Sequence, residues 1–131
     1  MTERPLSPHL SVYRMSRYTL LTSIVNRATG LVLSAGLILL VYWLVAIASG
    51  STAYGDARAV LSLGVLKAVF VILLATFSYH LFAGIRHLIW DTGRGLERAQ
   101  SKRSAALVVI ASILLFVALA WWALHAAGSA R

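Results

Sequence analysis

"ATGLVLSAGLILLVYWLVAIASGSTAYG", residues 28–55, runs for 28 residues without an Asp, Glu, Lys or Arg. A helix of about 20 apolar residues crosses the hydrocarbon core of a bilayer. Two more charge-free runs follow, at residues 68–85 and 104–130. Three such runs in a chain of 131 residues predict an all-α integral membrane protein with three transmembrane helices. Their expected positions are about 20–48, 61–90 and 104–126, behind a short cytoplasmic N-terminal arm at 1–19. Little chain is left for a soluble domain, so residues 1–131 read as a single membrane-anchor domain. "SGSTAYGD", residues 49–56, reads as a turn by composition, and Gly93 and Gly95 read as helix breakers in the second connection.

The formal net charge is +8, which in a soluble protein would suggest nucleic acid. The placement of the charge argues for membrane orientation instead. Arg4, Arg14, Arg17 and Arg27 lie near the first boundary, and Arg86, Arg94, Arg98, Lys102 and Arg103 crowd the second connection. In the first connection Arg58 is balanced by Asp56. This is the positive-inside pattern. It predicts a cytoplasmic N-terminus, an outward-facing C-terminus, a lipid bilayer as surroundings and no nucleic-acid partner. The first apolar run is longer than the core of a cleavable signal. With no cysteine, the chain offers no thiolate metal ligand and no disulfide.

Polar groups inside a bilayer are costly and usually functional, so the histidines of "FSYHLFAGIRHLIWD", residues 77–91, call for an explanation. On a helix, Ala83, Gly84 and His87 fall within about 60° of His80. The stripe is therefore an imidazole, two small residues and a second imidazole. Small residues would let a flat macrocycle approach the helix wall, with His80 on its metal. A blander reading is also open: a membrane histidine can hydrogen-bond a neighbouring helix, and small residues often mark helix contacts.

If His80 binds a six-coordinate haem iron, geometry limits the other ligand. His87 lies on the same helix face, about 10.5 Å along the axis, and cannot reach the opposite face of the ring. His125 lies far deeper from the basic end than His80, and His9 lies outside the bilayer. The second axial histidine must then come from another polypeptide. His87, nearer the headgroups, would suit a haem propionate. In "SIVNRATG", residues 23–30, Ser23, Asn26, Arg27 and Gly30 share one helix face. The Ser23 hydroxyl and Arg27 guanidinium, one turn apart, could hydrogen-bond a quinone carbonyl and stabilise charge developing on it. Alternatively, Arg27 snorkels and Ser23 bonds back to its own backbone.

Taken together, "RPLSPHLSVYR" (residues 4–14), "SIVNRATG" and "YHLFAGIRHLIWD" (residues 79–91) resemble the cytochrome b membrane-anchor subunit of succinate dehydrogenase, respiratory complex II. The resemblance runs in order over about the first 95 residues, and the three-helix layout covers the rest. It implies that His80 is an axial ligand of haem b, shared with a second small anchor subunit that supplies the other histidine. It implies that Ser23 and Arg27 contribute to the ubiquinone site and that Arg27 faces the haem propionates. A flavoprotein and an iron–sulfur subunit would be the soluble partners, docked partly on the N-terminal arm, and the location would be a bacterial inner membrane. The chain would have no catalytic activity alone. Where many members have histidine before that arginine, this chain has Asn26, which cannot become cationic. Rival readings are an anchor of a quinol:fumarate reductase and a structural anchor without haem. A small transporter fits poorly, because no polar stripe runs through all three helices.

Overall fold

The structure is a computed structural model and describes residues 17–129. The N-terminal arm, its docking role and His9 fall almost wholly outside these residues. Four helices follow one another: α1 (Arg17–Ala48), α2 (Ser51–Leu61), α3 (Gly64–Asp91) and α4 (Arg98–Ser129). Three of them are long and apolar enough to cross a membrane: Leu20–Ala48, Gly64–Asp91 and Arg98–Ala126. These are the three expected spans, with shifted boundaries.

The turn expected at residues 49–56 is corrected. Gly50 alone reverses the chain, at φ 103°, a backbone region closed to side chains with a Cβ. The next residue already starts α2. Gly and Ser make this segment look like a loop, but tertiary contact overrides composition. Tyr54 lies against Trp43 of α1, with ring centroids 5.1 Å apart, and Ala57 is fully buried. The second spanning helix therefore begins at Gly64, not near 61, after an extended Leu63 (φ −58°, ψ 141°).

The third span begins at Arg98, not near Ser104. Lys and Arg are good helix formers, so the charges of "RAQSKR" mark where apolar surroundings end, not where the helix ends. Between α3 and α4 the expected glycine breaks are present: Gly93 and Gly95 take φ of 77° and 76°. The Trp90 indole N–H donates to the Gly95 carbonyl at 3.1 Å, which ties this turn to α3.

The helices touch through small and polar residues. Buried positions include Ser78 and Ala83 on α3, and Ala105, Val108 and Ser112 on α4. Lipid tails are as apolar as leucine, so association in a membrane depends on close packing and hydrogen bonds. Gly36 shows the close packing: a Cβ there would meet Leu73 Cδ2 at 2.6 Å. Much large apolar surface stays outward, including Leu31, Ile38, Val65 and Leu124.

Arg86 supplies the hydrogen bonding. It is 6% exposed and about 8 Å from the end of α3 by helix rise. Its Nε donates to Ser104 Oγ at 3.0 Å, and Nη1 to Thr22 Oγ1 of α1 at 3.2 Å. Nη2 donates to the Ser101 carbonyl at 3.0 Å and to Ser101 Oγ at 3.1 Å. The guanidinium carbon also lies 4.0 Å from the centre of the Trp90 ring, a favourable place for a cation. No carboxylate pairs with it among the described residues. Intramembrane side-chain hydrogen bonds average about 0.6 kcal/mol each. Arg86→Ala is therefore expected to lower the stability of the detergent-solubilised assembly by about 2–3 kcal/mol. Thermal unfolding would read this as a lower midpoint, and an unchanged midpoint would mean that Arg86 is not the tie between helices.

Candidate functional site

Three pairs fix the antiparallel register of α1 and α3. Thr22 meets Arg86, Thr29 meets His80 and Gly36 faces Leu73. Each step is about two helical turns on both helices. The middle pair is the candidate site. Thr29 Oγ1 lies 3.0 Å from His80 Nδ1, and its O–H is placed to donate to the Asn26 carbonyl at 2.9 Å. Next to this contact, a Cβ on Gly30 would meet His80 Cε1 at 3.2 Å. The glycine leaves room for the ring to stand close against α1. Nε2 has no hydrogen-bond partner among the described residues.

His80 lies at one end of an open groove of ≈ 1000 Å³. Gly30, Leu33, Leu37, Leu73 and Phe77 line it, and Trp43, Arg58 and Ser62 close the far end. The lining is almost wholly apolar, as expected of a cofactor or ligand site. Among the described residues that line it there is no histidine other than His80, and no methionine or cysteine.

The other expected residues lie elsewhere. Ser23 is half-buried and Arg27 is exposed on α1; neither lines the groove. Neither makes a hydrogen bond or ion pair with a described residue, and Ser23 does not bond back to its helix as Ser34, Ser78 and Ser112 do. Among the described residues both donors are uncommitted. His87 packs edge-on against Trp90, with centroids 5.3 Å apart, so it joins the Arg86 cluster. Asn26, between Ser23 and Arg27 in sequence, buries Oδ1 with no hydrogen-bond partner among the described residues. His125 is exposed and bonds through Nδ1 to its own helix at Trp121 O, 3.0 Å away. Measured from the linked ends of α3 and α4, His80 lies about 17 Å along its helix and His125 about 40 Å along its own. The depth mismatch read from the sequence persists.

The pattern of the family described as succinate dehydrogenase/fumarate reductase transmembrane subunit matches residues 1–119. The chain belongs to that family. It is 42% identical over 119 residues to the succinate dehydrogenase cytochrome b556 subunit of Paracoccus denitrificans, covering 87% of each chain. It is 38% identical over 122 residues to the mitochondrial succinate dehydrogenase cytochrome b560 subunit of Sus scrofa, covering 91% of this chain and 71% of that one. The cytochrome b556 subunit of Rickettsia felis is 34% identical over 113 residues, at 86% and 87% coverage. The chain is thus a membrane-anchor subunit of the succinate dehydrogenase cytochrome b type.

The residues of this anchor fit a haem. An imidazole nitrogen without a hydrogen-bond partner among the described residues stands at an apolar groove, and a glycine clears the space beside it. Sequence reasoning singled out His80 and did not mark three neighbours that the structure brings out: Thr29, Arg86 as a three-helix tie, and Gly36. The available signal for Arg86 was its position inside the last turns of an apolar span, where a cation needs partners. Thr29 carried no such mark, because its role depends on which helix lies opposite.

Ser23→Ala and Arg27→Ala remove groups that hold no described residue. Each is expected to change the stability of the haem-free anchor by less than about 0.5 kcal/mol, against the larger loss at Arg86. Thermal unfolding of the three variants side by side measures the contrast.

Proposed function

We propose that this chain is the haem b-binding anchor of a succinate:ubiquinone oxidoreductase. In this reading a flavoprotein oxidises succinate, an iron–sulfur subunit carries the electrons to the membrane face, and this chain holds both in place. It forms part of the quinone-reduction site and shares one haem b with a second small anchor subunit. The observation that carries the reading is the state of His80: Nδ1 is engaged by α1, while Nε2 is left over at an apolar groove. The relatives' names, cytochrome b556 and b560 subunits of succinate dehydrogenase, support it.

When bound, haem b supplies a one-electron carrier within the bilayer. His80 would hold its iron, and a histidine of the second anchor subunit would supply the other ligand. Arg27, with His87 at lower rank, would pair with the propionates. Arg27 and Ser23 would also hydrogen-bond a carbonyl oxygen of ubiquinone. That oxygen gains negative charge as the ring takes up electrons, and a cation with a hydroxyl stabilises it before protons complete the quinol. Asn26 can hydrogen-bond but cannot deliver a proton as an imidazolium would. The basic connection between α3 and α4 supports a bacterial inner membrane location with a cytoplasmic N-terminus and a periplasmic C-terminus.

Two measurements test the reading. His80→Ala in the purified complex is expected to abolish or severely weaken the reduced-minus-oxidised cytochrome spectrum; an unchanged spectrum would refute haem ligation by His80. Arg27→Ala is expected to lower quinone reduction at least tenfold while succinate oxidation by an artificial acceptor is kept, a loss on the scale of a missing oxyanion donor. Equal loss in both assays would place the defect in assembly instead.

A further inference from the structure

We infer that Thr29 is a positioning residue for His80: its hydroxyl fixes which ring nitrogen carries the proton and holds the plane of the imidazole. The inference deepens the haem-anchor reading and rests on it.

A hydroxyl has one proton and can both donate and accept. Thr29 Oγ1 is 2.9 Å from the Asn26 carbonyl and 3.0 Å from His80 Nδ1. If the O–H donates to the carbonyl, its oxygen can only accept from the ring, and Nδ1 must carry the ring proton. The relay then runs from His80 Nδ1–H to Thr29 Oγ1–H to the Asn26 carbonyl. Nε2 keeps its lone pair and can bind a metal. The opposite arrangement, with the hydroxyl donating to Nδ1, would put the proton on Nε2 and block ligation. A carbonyl is an acceptor only, so the first arrangement satisfies all three groups and the second leaves one carbonyl lone pair unused.

Position is controlled as well as protonation. The Thr29 oxygen holds one edge of the ring, and Gly30, by lacking a Cβ that would stand 3.2 Å from Cε1, lets the ring lie close against α1. Both contacts come from α1, whose register against α3 is set two turns away by Arg86 and Thr22. Hydrogen bonds to the non-ligating nitrogen of a metal-bound histidine fix its tautomer and raise its basicity. A more basic axial nitrogen favours the ferric state, so Thr29 holds the haem potential down.

The test uses the complete purified complex. Thr29→Val keeps the shape and removes the hydroxyl; Thr29→Ser keeps the hydroxyl. The expected result for Thr29→Val is an upward shift of the haem midpoint potential and altered ferric low-spin EPR g-values, or haem loss from an otherwise assembled complex. Thr29→Ser is expected to stay close to the unaltered protein in both. A fully haem-loaded Thr29→Val complex with unchanged potential and g-values would overturn the inference. If Thr29→Val fails to assemble, Thr29→Ala decides by the same two readouts, and a haem-loaded Thr29→Ala complex with unchanged potential and g-values would overturn the inference. Absence of haem from the unaltered complex would instead overturn the underlying reading.

Discussion

A buried guanidinium that, among the described residues, meets hydroxyls, a carbonyl and an indole face governs this molecule. Arg86 reaches Thr22 on α1 and Ser101 and Ser104 on α4 from its place on α3. A cation in such a position is tolerated because nearly every N–H finds an oxygen and the Trp90 ring lies beneath it. Breaking any of those contacts strands charge in apolar surroundings. The helices therefore have one favoured rotation and one favoured axial offset at this end. That offset brings Thr29 and Gly30 to His80. The chemistry of the site depends on a tie made two turns away.

The two readings of His80 that compete in the sequence turn out to be compatible. A membrane histidine that bonds a neighbouring helix was the bland reading, and Nδ1 does bond Thr29. Imidazole has a second nitrogen, and engagement of the first prepares it. The small residues of the stripe divide in the same way. Ala83 is buried, as a helix-contact residue would be. At Gly84 an added Cβ would meet nothing within 4 Å, so that position is open to an approaching group.

The three spans were legible because charge-free length is a one-dimensional property. Their ends were less so. Lys and Arg after Arg98 look like a connection in sequence, yet they extend α4 beyond its apolar part. α2 was hidden by Gly55 and Ser51, since its stability comes from Tyr54 on Trp43 and from buried Ala57, contacts between segments that no local pattern encodes. In the sequence, His80, Ser23 and Arg27 stood out because ionisable and polar side chains are rare in such runs. Thr29 did not, because threonine is unremarkable in a membrane helix. Gly36 has the same history: only the position of Leu73 opposite gives it meaning.

The Arg86 network also orders the birth of the protein. α1 and α3 leave the ribosome before α4, and at that stage Thr22 is the one hydroxyl among these partners already made. Three of the four guanidinium hydrogen bonds go to Ser101 and Ser104, which are synthesised last. Until α4 threads into the membrane, the cation stays at the water-rich headgroup layer or meets lipid poorly satisfied. Arrival of the final helix works as a latch, and a nascent chain truncated before it would present the membrane's quality-control proteases with an unshielded charge.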